Sequence, residues 1–394
     1  MKQKKSHTLA LHIGTAFVEG CMMSVEADTK TPSFIDKVER VAIGFGSTRV
    51  RNALLQHTNI ALKKLLEKYA NEKVTSVKIA LSSPWYHASV RTIHSSSEKS
   101  VPVTQESILR TVQKYQDQEP PKPGREDLEA VAVQVRVNGY PTALHSNAIK
   151  GKLVTIHLYE SEIDSDIKKT FFETVGGVFP HSRVALYSFP LVCTLGLREV
   201  SEEGNFIVVE IGAEVSDVVI VHKDTVEYLA TIPIGYYTMA RLFDVTKNED
   251  SLADSLSKLA LYARDELSVE EKTKVKEGID TIFADWRKEF SAILKKASSH
   301  TPVPRKIFLL TDKNQAGWIN KGIQYEAEHS HTIETLTQSN FQDLVKIGET
   351  GTHSANLSLL AIFFNMAVDD IFGSSDAKTY EAKKGIFAKE ESFD

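Results

Sequence analysis

Gly14 and Gly212 are the residues of this chain best suited to meet a ligand. Each stands at the bend of an apolar–turn–apolar run, and without a Cβ the backbone there can be approached closely. The first run is LALHIGTAFVEGCMMSV, residues 9 to 25, and the second is IVVEIGAEVSDVVIV, residues 207 to 221. Both read as β-hairpins, and two such hairpins facing each other across a cleft could clamp a phosphate chain. One Gly-turn hairpin alone is an ordinary structural element. Two of the same build, the second followed by TVEYLATIPIG ending at Gly235, form an ordered pattern.

The elements that must hold these turns are of α/β type. After the first hairpin, SFIDKVERVAIGFG supplies strand-like residues, NALLQHTNIALKKLLEKYA has apolar residues at helical spacing, and VTSVKIALSS returns as a buried strand. From about residue 86 the pattern becomes β-rich. YHASVRTIHSS alternates, and Thr104 is placed as the N-cap of a helix over QESILRTVQKYQ. EPPKPGRED reads as an exposed loop, the NG of EAVAVQVRVNGYPT as a hairpin turn, and KLVTIHLYES as a strand. IDSDIKKTFFETVGG reads as a helix capped by Asp or Ser and stopping at Gly176 and Gly177. A helical region then spans 236 to 298, KIFLLTDKNQAGW offers a strand, and SANLSLLAIFFNMAV closes as an apolar helix.

A chain of 394 residues exceeds what one hydrophobic core serves, so at least two domains are expected. With 42% hydrophobic and 25% charged residues the balance is globular, and a net charge of -5 gives no reason to expect nucleic acid. The opening MKQKK is basic, yet the segment behind it is too broken for a signal sequence or a membrane span, which points to the cytoplasm. Cys21 and Cys193 sit in apolar surroundings and read as reduced, buried thiols, and the thirteen His residues show no zinc-site spacing.

At the two turns and the IPIG segment the chain resembles the FtsA and PilM branch of the actin-like superfamily. HIGT, EIGAEVSD and IPIGY stand where that branch carries motifs like DIGT, DIGGGTTD and IPIGG. The resemblance covers roughly residues 8 to 370 and implies an α/β, actin-like (ribonuclease H-like) two-domain fold with an inserted small α+β domain. The expected division is a first part of domain IA over 1–85, the insert over 86–182, domain II with a helix returning to IA over 183–373, and a flexible tail over 374–394.

The same resemblance implies a site for ATP and Mg²⁺ lined by Gly14, Thr15, Glu210, Gly212, Ser216 and Asp217. His12 replaces the acid that would help hold the hydrated ion, and imidazole is a poor ligand for it. Glu210 keeps the acidic charge. Ser216 and Asp217 align with the branch's threonine and aspartate, while Glu214 brings a carboxylate where phosphate should lie. Asp217 reads either as a water-orienting or metal-side carboxylate or as a turn residue bonded to local N–H groups. His12 reads as a packed core histidine. Thr311 and Asp312 stand where paired glycines of an adenosine loop are expected, and their side chains are expected to project where the base would rest.

The function implied is a scaffold on the cytoplasmic face of the inner membrane with weak or lost ATP hydrolysis. It would recruit division or type IV pilus components through residues 86 to 182, hold the cytoplasmic segment of a membrane protein and possess the capacity to self-associate or form filaments. Alternatives within the superfamily are an active ATPase, a nucleotide-dependent filament former or a small-molecule kinase with Glu210 or Asp217 as general base. In the tail, Ile386 and Phe393 could share a helical face beside Lys383, Lys384 and Lys389, but Glu390, Glu391 and Asp394 oppose lipid attraction, so a solvated tail and a membrane contact made through a partner are expected.

Overall fold

The computed structural model describes residues 7–25, 31–44, 51–142, 149–198, 200–201, 204–243, 249–327, 331–347 and 354–365; the tail expected over 374–394 lies outside them. The chain begins with β1 (His7–Ile13), β2 (Phe17–Val25), β3 (Pro32–Phe34), β4 (Glu39–Ala42), α1 (Arg51–Glu67) and β5 (Val74–Leu81). Next come β6 (His87–Val103), α2 (Gln105–Gln118), β7 (Arg125–Val137), β8 (Tyr140–Pro141), β9 (Ile149–Asp164), α3 (Ser165–Val178), β10 (Arg183–Ser188) and α4 (Phe189–Arg198). The second half holds β11 (Phe206–Ile211), β12 (Ser216–His222), β13 (Thr225–Ile232), α5 (Tyr236–Phe243), α6 (Glu249–Ala263) and α7 (Val269–Ser298). It closes with β14 (Lys306–Thr311), α8 (Ala316–Ala327), β15 (Thr332–Thr335), β16 (Lys346–Ile347) and α9 (Ala355–Asn365). Among the described residues, no helix is long and apolar enough to cross a membrane.

The two hairpins noticed in the sequence open two sheets with the same wiring. In the first, ordered β10-β5-β1-β2-β3-β16 with β4 also on β2, an antiparallel hairpin is extended on one side by parallel β5 and β10. In the second, ordered β13-β12-β11-β14-β15, an antiparallel meander is extended by parallel β14 and β15. Parallel neighbours need a crossover, and the helices supply it.

Strand parity decides what each sheet presents to its helices. Leu9, Leu11 and Ile13 pack with Leu62, Leu65 and Leu66 of α1, so the alternate residues Ala10 and His12 turn to the other face. Ile207, Val209 and Ile211 likewise pack with Trp286 and Phe283 of α7, which turns Val208 and Glu210 inward. Helices α4 and α9 fill the inner space and lie close because Gly196 has no Cβ to meet the Leu359 backbone, which would be 3.2 Å away. Full burial of side chains such as Leu359 and Leu360 contributes roughly 1.5–3 kcal/mol each.

β5 and β10 are hydrogen-bonded neighbours, yet the chain between them makes a separate sheet, β6-β9-β7-β8, with α2 beside it, before α3 returns to pack on α1 in the core of the first sheet. This is the inserted small α+β unit. Its α2 starts at Thr104, whose side chain accepts from the Ser107 N–H while Ser107 answers the Thr104 N–H, a reciprocal cap. The β7–β8 turn places Asn138 and Gly139 at positive φ, as the NG pair requires. Two local expectations change. α3 runs through Gly176 and Gly177 to Val178, since neither glycine leaves the helical region and the Phe179 N–H still reaches Val175 O at 2.8 Å. The exposed loop after α2 ends at Gly124, and Arg125 to Asp127 already belong to β7.

Candidate functional site

The two glycine turns meet. At the first, the Gly14 N–H donates to Phe17 O at 3.1 Å; at the second, the Gly212 N–H donates to Val215 O at 3.0 Å. Between them the Glu214 N–H donates to Thr15 Oγ1 at 3.3 Å. The IPIG segment braces the second turn from behind, with Tyr236 N–H donating to Gly212 O at 2.9 Å and Tyr237 N–H to Ala213 O at 2.8 Å. That packing is what demands glycine at 235, where a Cβ would stand 2.4 Å from Ala213 O and 2.5 Å from Gly212 O. Gly14 is under no such demand, because a Cβ there would touch its neighbours at 3.6 Å or more.

Beneath the turns lies a buried chain of polar side chains that links the two sheets. Glu210 and Asp217 are directly paired across β11 and β12, so both point inward. Ser82, just past the end of β5, donates to Glu210 Oε1 at 2.5 Å, and His12 Nε2, 2.8 Å from the Ser82 hydroxyl, therefore donates to it. The His12 ring lies 4.8 Å from that of Phe189 and faces Glu19 at 3.5 Å. Asp217 accepts from three hydroxyls: Ser83 at 2.9 Å, Tyr86 at 2.7 Å and Thr231 at 2.6 Å. At the root of the insert, Glu129 accepts from Ser161 at 2.6 Å and from the Ser188 N–H at 3.1 Å, and the Ser188 hydroxyl meets Tyr159 at 2.7 Å.

Burial decides the charge state of these acids. It pushes Glu210 up to about 8, with the neighbouring Asp217 adding to the rise and Ser82 opposing it. Burial also raises Asp217, against the pull of its three hydroxyl donors, and raises Glu129 to about 7. Glu19 goes the other way: burial opposes its ionisation, but the hydrogen bond and charge of His12, with Ser354 and Arg40, hold it below the usual range.

The rim carries two cross-ties. Arg40 pairs with Asp312 while its guanidinium lies 3.3 Å from the Phe17 ring centre, joining β4 to the end of β14. Asp312 therefore turns toward Arg40, and the Thr311 hydroxyl folds back onto Ile211 O at 2.9 Å. Glu214 is met by both terminal nitrogens of Arg241, at 2.8 and 3.0 Å, so its charge is neutralised locally.

The structure brings together Gly14, Thr15, Glu210, Gly212 and Asp217. Ser216 is the exception. It pairs with Ile211 on the opposite face of the sheet, donates to Ile234 O at 2.6 Å and accepts from Trp286 Nε1 at 3.1 Å, so its hydroxyl faces the α7 core and not the turns. For Asp217, hydroxyl donors from three segments replace the local N–H groups expected of a turn residue.

These residues do not fit a magnesium-bound triphosphate. A hard cation needs ionised or carbonyl oxygens, whereas burial favours the protonated form of Glu210 and Asp217, three hydroxyls already donate to Asp217 and His12 contributes an imidazole. The Gly14, Gly212 and Glu214 N–H groups that could cradle phosphate are bonded within the protein. Sequence reading missed Ser82, Ser83, Tyr86, Thr231, Glu19 and Arg40. Ser82 and Ser83 had a signal, since they follow the carboxyl end of a parallel strand, where ligands of open α/β sheets gather.

A pH dependence follows from Glu210. Unfolded, this acid titrates near 4.5; folded, near 8, so between those values the native state holds the extra proton. Stability therefore falls as pH rises through that window and levels off above it, by on the order of 5 kcal/mol. Thermal unfolding from pH 5 to 9 should show a shallower decline for Glu210→Gln than for the wild type. Parallel curves would mean that Glu210 is ionised in the folded protein.

No protein-family model matches the chain, and no curated protein matches it by sequence. Among solved structures it is similar to the PilM-PilN type IV pilus biogenesis complex, at 16% identity and a TM-score of 0.59, over 93% of this chain and 99% of that one. It also matches the ethanolamine utilization protein EutJ from Carboxydothermus hydrogenoformans, at 9% identity and a TM-score of 0.43, over 92% and 91% of the two chains. A Bacteroides thetaiotaomicron protein with an actin-like ATPase fold and unknown function matches at 9% identity and a TM-score of 0.37, over 91% and 96%. The twin sheets, their meeting turns and the excursion between β5 and β10 thus compose an actin-like ATPase fold, laid out over nearly the whole chain as in the PilM-PilN structure.

Proposed function

We propose that this protein is an actin-fold scaffold of the PilM type. In this reading it sits at the cytoplasmic face of the inner membrane through the cytoplasmic segment of a membrane protein and does not turn over ATP at a useful rate. The buried chain His12–Ser82–Glu210 with Asp217 and its three hydroxyls carries the reading, because it fills with the protein's own groups the place where an ATPase of this fold would hold ion and phosphate. The end-to-end likeness to the PilM-PilN structure supports a pilus-type partner, and residues 86 to 182 are the contact face in this reading. Such a scaffold gains from a cleft that stays shut without nucleotide.

The test has two arms. Calorimetry of the full chain with Mg-ATP should give no binding heat, and phosphate release should stay at background; release that depends on magnesium and vanishes in Asp217→Asn would establish the ATPase alternative. In the second arm, the chain is titrated with a synthetic peptide copying the cytoplasmic segment of a PilN-type membrane protein from the same genome. Binding in the micromolar range is expected. No binding by that peptide would remove the pilus assignment.

A further inference from the structure

The far end of the inserted sheet exposes a group of large apolar side chains. Val101, Tyr140, Ile149 and Leu153 are 43, 76, 41 and 42% exposed. Strand pairing brings three of them together, since Val101 faces Gly151, which lies between Ile149 and Leu153 on β9, while Tyr140 pairs with Val137, itself opposite Val154, and so stands on the other face of the same end. The NG turn holds Tyr140 out at the tip. Lone exposed apolar residues are common on protein surfaces, but four at one end of one sheet surround its tip.

Charge at the same end is net positive. Lys99, Lys150 and Lys152 are exposed there, interleaved with the apolar residues, and Arg110 lies on the first turns of α2. Opposing them are Glu98 and Glu106, and Glu106 is already ion-paired with Arg110. An aromatic ring and branched aliphatic side chains among lysines is the composition that enters the boundary between headgroups and acyl chains, with the ammonium groups on anionic headgroups. We propose that the tip formed by Val101, Tyr140, Ile149 and Leu153 with Lys99, Lys150 and Lys152 docks directly on an anionic lipid surface. This goes beyond a contact made through a protein partner, and the two add: each raises the effective concentration for the other.

The test is co-sedimentation of the full chain with vesicles that contain no protein, so its failure leaves the partner reading untouched. Vesicles of phosphatidylcholine with about 30% phosphatidylglycerol, an anionic fraction giving a substantial surface potential, should bind the chain at low salt, and pure phosphatidylcholine should not. Near such a surface each lysine strengthens binding about fivefold, so Lys150→Glu with Lys152→Glu should reduce partition more than about tenfold. Tyr140→Ser should reduce it severalfold, with thermal unfolding unchanged in both variants because the residues are exposed. Three results would overturn the proposal: a wild type that stays in the supernatant with both vesicles; tip variants that bind as the wild type does while Lys383→Glu with Lys384→Glu abolishes binding; or a dimer in solution that Tyr140→Ser dissolves, which makes the tip a contact between copies.

Discussion

Asp217→Ala should lower the stability of the protein by about 3 kcal/mol, because it strands the buried Ser83 and Tyr86 hydroxyls and removes the acceptor of the part-buried Thr231 hydroxyl. Ser83, Tyr86 and Thr231 all donate to this carboxyl, and they come from the end of β5, the start of the insert and β13. Water can enter the space left by the side chain and serve part of the set, which keeps the figure below the sum of three separate losses. In a melting experiment the expected fall is roughly 6 °C. Asp217→Asn retains one good acceptor and should lose less than half as much. If Ala and Asn were equally damaging, charge and not hydrogen-bond acceptance would be what Asp217 provides, and the case for a structural carboxyl would fail.

Gly235→Ala is the second large effect, with an expected loss of about 3 kcal/mol from overpacking. Its Cβ would collide with Ala213 and Gly212 main-chain atoms, and those atoms cannot retreat while the Tyr236 and Tyr237 N–H groups are bonded to them. Any displacement passes to the Thr15–Glu214 contact, so amide exchange should quicken at residues 212 to 215 as well. Gly14→Ala makes the control. Its Cβ meets ordinary contact distances, so stability should change by less than about 1 kcal/mol. Equal damage at both glycines would contradict the packing described here.

What could be read from residues alone was local and periodic. The two hairpins, the IPIG brace, the cap at Thr104 and the NG turn each depend on a few adjacent side chains, and each stands where expected. What escaped was pairing over distance. His12, Ser82 and Glu210 are separated by 70 and 128 residues, and no spacing rule announces that a serine after one strand will bond a glutamate in another sheet. Ser216 was misplaced for a simpler reason. The second strand of the hairpin begins at that residue, so parity sends it to the face opposite Asp217. Glycine at 176 and 177 misled similarly, since a helix tolerates glycine in its interior when packing on neighbouring turns holds it, at a cost of up to about 1 kcal/mol each.

The excursion between β5 and β10 departs and returns on adjacent strands, whose spacing in any sheet is only about 4.8 Å. A module stitched in at so narrow a gap can be traded for another without respacing its host. Such an exchange leaves the host sheets in register provided the newcomer supplies a hydroxyl at the seam for Asp217, as Tyr86 does.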